Sequence, residues 1–431
     1  MLSGWLSPER IEVKRRLASL EADDISLHAL VADLQHDLYV GVAYNVATDT
    51  WRRLGKAQGL TAGAWPGAWI SPIFQRLRRV VLTDAGVVYK GISWLDMTKH
   101  DDGTDVALGG ANGQIMVEMS PSYYKVGVHG NWKYVLISHL PLSGFSLFPL
   151  FTGMSAVYVG AYEASLYDAK LCSVAKSPAD GSSAVYPVTT RAGAWGHAGL
   201  TTAVTDTLAH ARGNGWQSSD LLSRIWYRIL LLVGFASFDI PGIVGAGRIN
   251  LSGGTWDNDS YIGKCGLGDA TGGWYSAVQN GSTAGYLTDY AQVLGVENPW
   301  GNVWERVNSL VSDGALYYMP SAVNPTYDYT AITGWTRLLD ALGNAITLPT
   351  SEGYCGVPHS GLGMVLPSDV TGSSSTKMRD YYYYASSLRV LLVGGHSYNG
   401  SSAGPFFWAA AYAASVAASS FGGRLCFKKA A

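Results

Sequence analysis

The sequence predicts an α+β protein in which loops and short strands outnumber helices. Three observations lead to this expectation. Glycine is abundant, at 52 of 431 residues, and aromatic residues make up 12%, a composition that suits tight turns around buried rings. Charged residues are only 14%, against roughly 25% in an ordinary soluble domain. Helical periodicity is confined to three segments, whereas strand-like alternation recurs between turn residues.

The first periodic segment lies at the N-terminus. After Pro8, and with Asp24 allowed one core position, apolar residues follow a 3.5-residue period. The residues concerned are Val13, Leu17, Leu20, Leu27, Val31, Leu34 and Leu38. This spacing predicts a helical oligomerisation and attachment segment, a short stalk, over residues 1–38. An amphipathic helix that packs on its own domain is the alternative.

The pattern then becomes β-like. Residues 38–45, 79–82 and 114–118 alternate or run apolar between turn residues. We therefore expect a small β-rich connecting domain over residues 39–104 and a larger, loop-rich domain over residues 105–431. The helical exceptions in the larger domain are residues 201–212 and residues 218–232.

Composition and charge exclude several classes of partner. With 30 Lys and Arg against 32 Asp and Glu, the net charge of −2 leaves no basic excess to neutralise phosphates, so no nucleic-acid partner is expected. The longest apolar runs, residues 229–233 and 406–418, are shorter than the roughly 18–20 residues that a membrane span needs, so no membrane insertion is expected. Residues 1–16 contain no apolar signal core, which argues against secretion through a signal peptide.

Motifs for catalysis and cofactor binding are hard to find. The four cysteines lie far apart with no CxxC pair, which favours buried free thiols. Residues 263–268 have glycines without Walker spacing, and residues 395–399 lack the second glycine of a nucleophile elbow. Residues 256–259 and 297–299 offer oxygen ligands that suit calcium, although a polar turn and a loop staple are the favoured interpretations. No cofactor is expected, and structural calcium stays open.

The strongest functional signal is an ordered set of short motifs over residues 105–427. They are 110–118 (GANGQIMVE) with 123–125 (YYK), 158–165 (YVGAYEAS), 212–216 (RGNGW), 297–305 (ENPWGNVWE), 390–395 (VLLVGG) with 399–400 (NG), 403–408 (AGPFFW) and 421–427 (FGGRLCF). Together and in this order they resemble the C-type-lectin-fold variable proteins of diversity-generating retroelements. Many members of that family are receptor-binding proteins of phage tails. The Gly-Asn-Val-Trp core is shared with the formylglycine-generating-enzyme branch of the fold.

The resemblance also implies a set of binding residues. In this family the C-terminal segment is copied from a template in which adenines are randomised. The usual targets are AAC asparagine codons. Randomising their adenines cannot give Lys, Glu, Gln, Met or Trp. Residues 380–424 contain no Lys, Glu, Gln or Met, and their single Trp, Trp408, falls in a framework motif. The implied ligand-binding positions are Tyr384, Ser386, Ser387, His396, Tyr398, Ser402, Ala409, Ala411, Tyr412, Val416, Ala418 and Ser420.

The resemblance implies a C-type-lectin/formylglycine-generating-enzyme-like fold and a receptor-binding protein without enzymatic activity. The expected partners are a host cell-surface protein or glycan and phage tail components, with the chain a homotrimer on the tail of the virion. Display on a bacterial cell surface is one alternative. The other is a formylglycine-generating-enzyme-like oxidase, whose copper needs two close cysteines in the C-terminal region. Here Cys426 follows Cys355 by 71 residues, which disfavours that chemistry.

Overall fold

The computed structural model describes residues 36–188, 202–250, 262–279, 288–320, 329–339, 343 and 345–431. Within these residues the protein is mostly β-sheet with few helices. The helical stalk predicted over residues 1–38 lies outside the described residues, apart from His36–Leu38, which form a single 3-10 turn.

The strands and helices have the following bounds. In chain order the strands are β1 (Val40–Asn45), β2 (Thr50–Gly55), β3 (Arg78–Leu82), β4 (Val88–Gly91), β5 (Gln114–Met119), β6 (Tyr123–His129), β7 (Trp132–Ser138), β8 (Ser146–Leu147), β9 (Met154–Gly160), β10 (Ser165–Tyr167), β11 (Lys170–Cys172), β12 (Trp216–Ser218), β13 (Tyr275–Val278), β14 (Tyr290–Val293), β15 (Val296–Glu297), β16 (Trp304–Ser312), β17 (Tyr317–Pro320), β18 (Trp335–Arg337), β19 (Gly353–Tyr354), β20 (Tyr381–Tyr384), β21 (Arg389–Val393), β22 (Trp408–Tyr412), β23 (Phe421–Gly422) and β24 (Leu425–Ala430). The α-helices are α1 (Pro72–Arg76), α2 (Thr202–His210), α3 (Leu221–Phe235) and α4 (Ile240–Val244).

Two of the sheets combine strands from both sides of residue 104. The five-stranded sheet has the order β2-β1-β7-β6-β8, and the six-stranded sheet has the order β12-β24-β9-β5-β3-β4. Strand β1 therefore pairs with β7, and β3 pairs with β5. The strands predicted near residues 38–45, 79–82 and 114–118 are confirmed. The domain boundary predicted at residue 104 is wrong, because the hydrogen-bonded ladders cross it and one hydrophobic core extends from Val40 to Cys426.

A mostly apolar helix, α3, contributes most of its residues to this core. It contacts β1 and β7 on one side and β16 on the other, and all its residues except Leu222 are buried. Asp220 caps its N-terminus by accepting a hydrogen bond from the Ser223 amide at 2.9 Å. At its C-terminus Arg53 donates to the carbonyl oxygens of Val233 and Gly234, at 3.1 Å each. Both helices predicted in the larger domain are confirmed, as α2 and α3. None of the helices in the described part of the chain has the length and apolar content that a membrane span requires.

The eight-stranded sheet contains most of the C-terminal third of the chain. Its order is β18-β17-β16-β21-β22-β20-β19, with β23 parallel to β16. Residues on its strands alternate between two faces. Leu391 and Val393 belong to the main core, whereas Leu392 packs with Ala409 in a second apolar cluster on the opposite, outer face. This outer face bears the candidate site.

Candidate ligand-binding face

Four tyrosines form the most distinctive surface of the eight-stranded sheet. In the all-tyrosine strand β20, Tyr382 is fully buried while Tyr381 and Tyr383 are partly exposed on the outer face. The ring of Tyr381 lies 4.6 Å from that of Tyr383 and 5.1 Å from that of Tyr354 on β19. We refer to Tyr354, Tyr381, Tyr383 and Tyr412 as the tyrosine face.

A β-bulge brings the fourth tyrosine onto this face. Leu392 pairs with Ala409, but Val390, two residues earlier on β21, pairs with Tyr412, three residues later on β22. The extra residue in β22 shifts the alternation by one. Tyr412, rather than Ala411, therefore lies on the same side as Ala409 and packs in the outer cluster.

A buried tryptophan supports the tyrosine face from beneath. Trp304 is the first residue of β16 and is 2% exposed. Its ring lies 5.3 Å from Tyr412, 5.2 Å from Phe421 and 4.4 Å from His396. Such edge-to-face and tilted ring contacts fix the orientation of partly exposed aromatic side chains at little entropic cost.

The hydroxyls of Tyr381, Tyr383 and Tyr412 stay protonated at neutral pH. Burial raises the pKa of Tyr381 and of Tyr412, and the negative charge of Glu352 raises both further. For Tyr383, burial is again the main cause of a raised pKa, followed by Tyr412 and Glu352. The face thus presents neutral rings with hydroxyl groups that can donate or accept hydrogen bonds.

The C-terminal segment that contributes to this face is held largely through its backbone. Buried Arg306 donates from Nη1 to the carbonyl oxygen of Ala414 at 3.3 Å and from Nη2 to that of Val416 at 2.9 Å. Burial lowers the pKa of Arg306 to about 10, which leaves it charged at neutral pH. The backbone atoms that Arg306 binds are present whatever side chains occupy positions 414 and 416.

Similar contacts hold the segment that leads into β22. Arg228, on α3, donates to the carbonyl oxygen of Pro405, and its guanidinium lies 4.4 Å from the Trp408 ring centroid. The carboxylate of Asp380 accepts from the Phe406 amide at 2.6 Å. The Trp408 indole donates to the Val365 carbonyl oxygen at 3.0 Å, which fixes the start of the strand.

Beneath this segment, residues 297–305 take part in a buried polar network. The Glu297 carboxylate accepts from the amides of Gly266 and Gly268, at 2.7 and 2.9 Å. Asn302 donates to the Glu163 carboxylate. The loop staple favoured for residues 297–299 is therefore what the structure contains, and residues 256–259 lie outside the described residues. Over the described ranges, no cluster of three or more His, Cys, Asp or Glu side chains is placed to hold a metal ion.

Arg424 links this network to the C-terminal strand. Its Nε donates to Glu305 at 2.7 Å, and its other nitrogens donate to the carbonyl oxygens of Gly160, Glu297 and Asn298 at 2.8 to 3.1 Å. Arg224 also pairs with Glu305. All three charged side chains are buried, so each depends on its partners to offset the loss of hydration.

The twelve residues implied by the family resemblance differ in exposure. Ser386, Ser387 and Tyr398 are exposed, and Tyr384, Ser402, Ala411, Tyr412 and Val416 are partly exposed. The other four, at 5% exposure or less, are His396, Ala409, Ala418 and Ser420. As direct ligand contacts, these four are corrected by the structure: in this conformation they lie beneath other side chains. Ala409 and Ala418 are covered by the outer cluster, and His396 packs on Trp304.

The remaining residues do not form one continuous patch. Tyr412 and Val416 border the outer cluster, and the Ser402 hydroxyl lies 3.3 Å from that of Tyr354. Tyr384 belongs to the other face of β20, where its hydroxyl donates to the Gly314 carbonyl oxygen at 2.9 Å. Ser386 packs against Gly314 as well, so Tyr384 and Ser386 lie at the β16–β17 turn.

Three members of the tyrosine face were not selected from the sequence. Tyr354 lies before the C-terminal segment and had no motif to mark it. The run Tyr381–Tyr384 is the sequence signal for Tyr381 and Tyr383, because a strand with alternating faces must direct two of its four tyrosines to each face. The family resemblance implies Tyr384, which belongs to the inner pair.

A separate cleft of about 430 Å³ lies between the loop at residues 109–113 and the β10–β11 hairpin. Arg212 lines this cleft, and its guanidinium donates to Asp84 at 2.6 Å and to the Cys172 sulfur at 2.9 Å. Burial raises the pKa of the Cys172 thiol, which keeps it protonated. The cleft's arginine and cysteine are therefore engaged with the protein itself. Cys265, Cys355 and Cys426 are likewise buried and free of disulfide bonds.

Comparison with solved structures gives a distant likeness. No protein-family profile and no curated protein matches the sequence. Among solved structures, the chain is similar to the Major Tropism Determinant U1 Variant, at 12% sequence identity and a TM-score of 0.27. The similarity covers 87% of this chain and 74% of that one. A likeness this distant does not assign a function.

Proposed function

We propose that this chain is a receptor-binding protein whose C-type-lectin-like head displays a diversified surface, centred on the tyrosine face, at the tail of a phage. The observation that carries the proposal is the way in which residues 380–420 are held. Arg306, Arg228 and Asp380 bind backbone atoms of this segment, and Trp304 supports its rings. Side chains on its surface are thereby free to differ between variants without loss of the fold.

Tyrosine suits such a surface. It offers a large, rigid contact area with only two side-chain torsions, and its hydroxyl adapts to donors and acceptors. The half-buried position of Tyr381, Tyr383 and Tyr412 limits their motion before a partner binds. Preorganised contacts of this kind lower the entropy cost of association.

Assembly as a homotrimer through residues 1–38 is part of the proposal. Three copies of a weak site on one particle raise the overall avidity by orders of magnitude when they engage together. Deletion of residues 1–38 should lower the mass measured by light scattering from that of a trimer. An unchanged mass would contradict the role of this segment in assembly.

The proposal is tested by comparing two libraries displayed on the full chain. The first randomises the surface residues Ala411, Tyr412 and Val416, and the second randomises the buried residues Ala409, Ala418 and Ser420. We expect most members of the first library to fold, as judged by protease resistance, and few members of the second. Binders to intact bacterial cells should arise from the first library. Equal loss of folding in both would overturn the proposal.

The gene itself provides an independent check. DNA beside it should contain a near-copy of the codons for residues 380–427 in which mismatches fall at adenines, with a reverse-transcriptase gene nearby. Mismatches should concentrate at the exposed positions and be rare at the four buried ones. A near-copy with mismatches spread over all bases would contradict diversification.

A further inference from the structure

A single acidic residue, Glu352, borders the tyrosine face. It directly precedes β19, in which Gly353 pairs with Tyr382 and Tyr354 pairs with Tyr381 in antiparallel register. Continued by one residue, this register sets Glu352 opposite Tyr383. Because alternate residues share a face, Glu352 lies on the same side of the sheet as Tyr354, Tyr381 and Tyr383.

The electrostatics agree with this position. The Glu352 carboxylate is close enough to Tyr381, Tyr383 and Tyr412 to raise the pKa of each, after the larger effect of burial. Glu352 thus lies near phenol rings from two neighbouring strands, β20 and β22. Glu352 itself is exposed, and no other residue in the described part of the chain forms a hydrogen bond or ion pair with its side chain.

The arginines of the adjacent strands β16 and β21 donate to backbone carbonyl oxygens and not to Glu352. Arg306 is buried and donates to the carbonyl oxygens of Ala414 and Val416, and Arg389 donates to that of Leu388. Within residues 380–424 the one carboxylate, Asp380, is buried beneath the sheet and accepts from the Phe406 amide. The accessible charge at this part of the face is therefore negative and comes from Glu352, outside that segment.

We infer that Glu352 and the rings of Tyr381, Tyr383 and Tyr412 bind a lysine or arginine side chain of a protein receptor. The inference rests on the proposed function, because it names the chemistry of the partner at the same face. A cation gains from the electron-rich faces of aromatic rings and from an adjacent carboxylate together. The rings also favour a compact cation over a flat sugar: Tyr354 and Tyr381 meet at 88° and Tyr381 and Tyr383 at 53°, which leaves no coplanar platform for stacking.

The first experiment uses a fluorine-tagged hexapeptide with three lysines as the probe. Its binding to the full chain is followed by ligand-detected NMR, beside the same peptide with Nε-acetylated lysines. We expect the lysine peptide to bind and the acetylated peptide to bind at least about fivefold more weakly, since acetylation removes the charge. Glu352→Gln and Tyr383→Ala should each raise the Kd for the lysine peptide about fivefold.

Asp105→Asn is the matched control. It changes the net charge as Glu352→Gln does, at a carboxylate with 83% exposure that pairs with Lys99 instead of tyrosines. We expect it to alter the Kd less than twofold. Equal effects of Glu352→Gln and Asp105→Asn would overturn the inference, because they would show attraction to net charge alone. Equal binding of both peptides would overturn it as well.

A second measurement separates this inference from the proposed function. Fluorescently labelled full chain, its Tyr383→Ala variant and its Glu352→Gln variant are bound to a panel of bacterial cells. Loss of cell binding in both variants supports the inference. If Tyr383→Ala loses cell binding while Glu352→Gln keeps it, the cationic ligand is overturned and the receptor-binding role stands. The same conclusion follows if a soluble oligosaccharide competes for cell binding. Cell binding that neither substitution changes overturns the inference and also the choice of the tyrosine face as the centre of the binding surface.

Discussion

Residues 297–305, which lead into β16, and residues 380–420, which contain β20 to β22, are stabilised in different ways. In the first region the side chains themselves make the contacts: Glu297 binds two amides, Asn302 binds Glu163, and Glu305 binds two arginines. In the second region the described polar contacts go mainly to backbone atoms, from Arg306, Arg228 and Asp380. The first arrangement specifies its residue types, whereas the second specifies a path of the chain and tolerates many side chains.

The largest effect is expected where side-chain contacts are densest. Arg424→Ala removes the bond to Glu305 and deprives the carbonyl oxygens of Gly160, Glu297 and Asn298 of the guanidinium donor. We expect the free energy of unfolding to fall by about 3–5 kcal/mol, because the buried carboxylate of Glu305 loses one of its two arginine partners. Urea unfolding followed by tryptophan fluorescence measures this change.

Two variants keep this test interpretable if Arg424→Ala does not fold. Arg424→Lys retains the charge but loses the fork of donors, and we expect it to cost about 1–3 kcal/mol. Arg78→Ala removes the exposed ion pair with Glu118 and should cost less than about 1 kcal/mol. A loss for Arg424→Ala as small as that for Arg78→Ala would contradict the specific role of the network.

The backbone contacts of the second region predict a smaller and more local effect. Arg306→Met retains much of the buried volume but leaves the carbonyl oxygens of Ala414 and Val416 without these donors. We expect a loss of about 1–3 kcal/mol in the free energy of unfolding and faster proteolysis within residues 413–420. Uniform acceleration of cleavage along the whole chain would show that Arg306 acts on the fold at large.

Two neighbouring alanines test which positions can vary. Ala409 is fully buried in the outer cluster, whereas Ala411 is partly exposed on the same strand. Ala409→Phe should lower the free energy of unfolding by about 1–3 kcal/mol through overpacking, and Ala411→Phe should change it by less than about 0.5 kcal/mol. Thermal unfolding of the two variants under identical conditions gives the comparison. If Ala409→Phe proved the more stable of the pair, the division of the candidate residues by burial would be wrong.

The sequence predicted the local elements better than the positions of side chains across the sheets. Periodicity was enough for α2, α3, β1, β3 and β5, because each depends on the spacing of its own apolar residues. The boundary at residue 104 failed because pairing of β1 with β7 and of β3 with β5 is decided by tertiary contacts.

The candidate site shows the same limit on a smaller scale. Ala409 and Ala411 are the same residue type, so the sequence does not show which of them faces solvent. The bulge opposite Val390 and Leu392 also shifts by one residue the alternation of faces that a regular strand would have. Tyr354 and Glu352 reach the face only through the pairing of β19 with β20. Amino-acid composition and the family resemblance identify the segment, but strand register decides which of its side chains a ligand can touch.

The last prediction concerns pH and separates the two regions again. Burial, followed by the negative charge of Glu305, raises the pKa of Glu163 from 4.5 to about 8. The folded state therefore holds this proton more tightly than the unfolded chain does, and its contribution to stability is full below about pH 4.5 and declines as pH rises to about 8. Glu163→Gln, which cannot titrate, should reduce the slope of unfolding free energy against pH in that window by up to about 1.4 kcal/mol per pH unit. Asp206, whose pKa burial raises to about 7, continues to titrate in the variant and accounts for part of the slope that remains. Ala411→Phe, at a partly exposed position of β22, should leave the slope unchanged, so an equal change in both variants would place the titrating group outside the buried network.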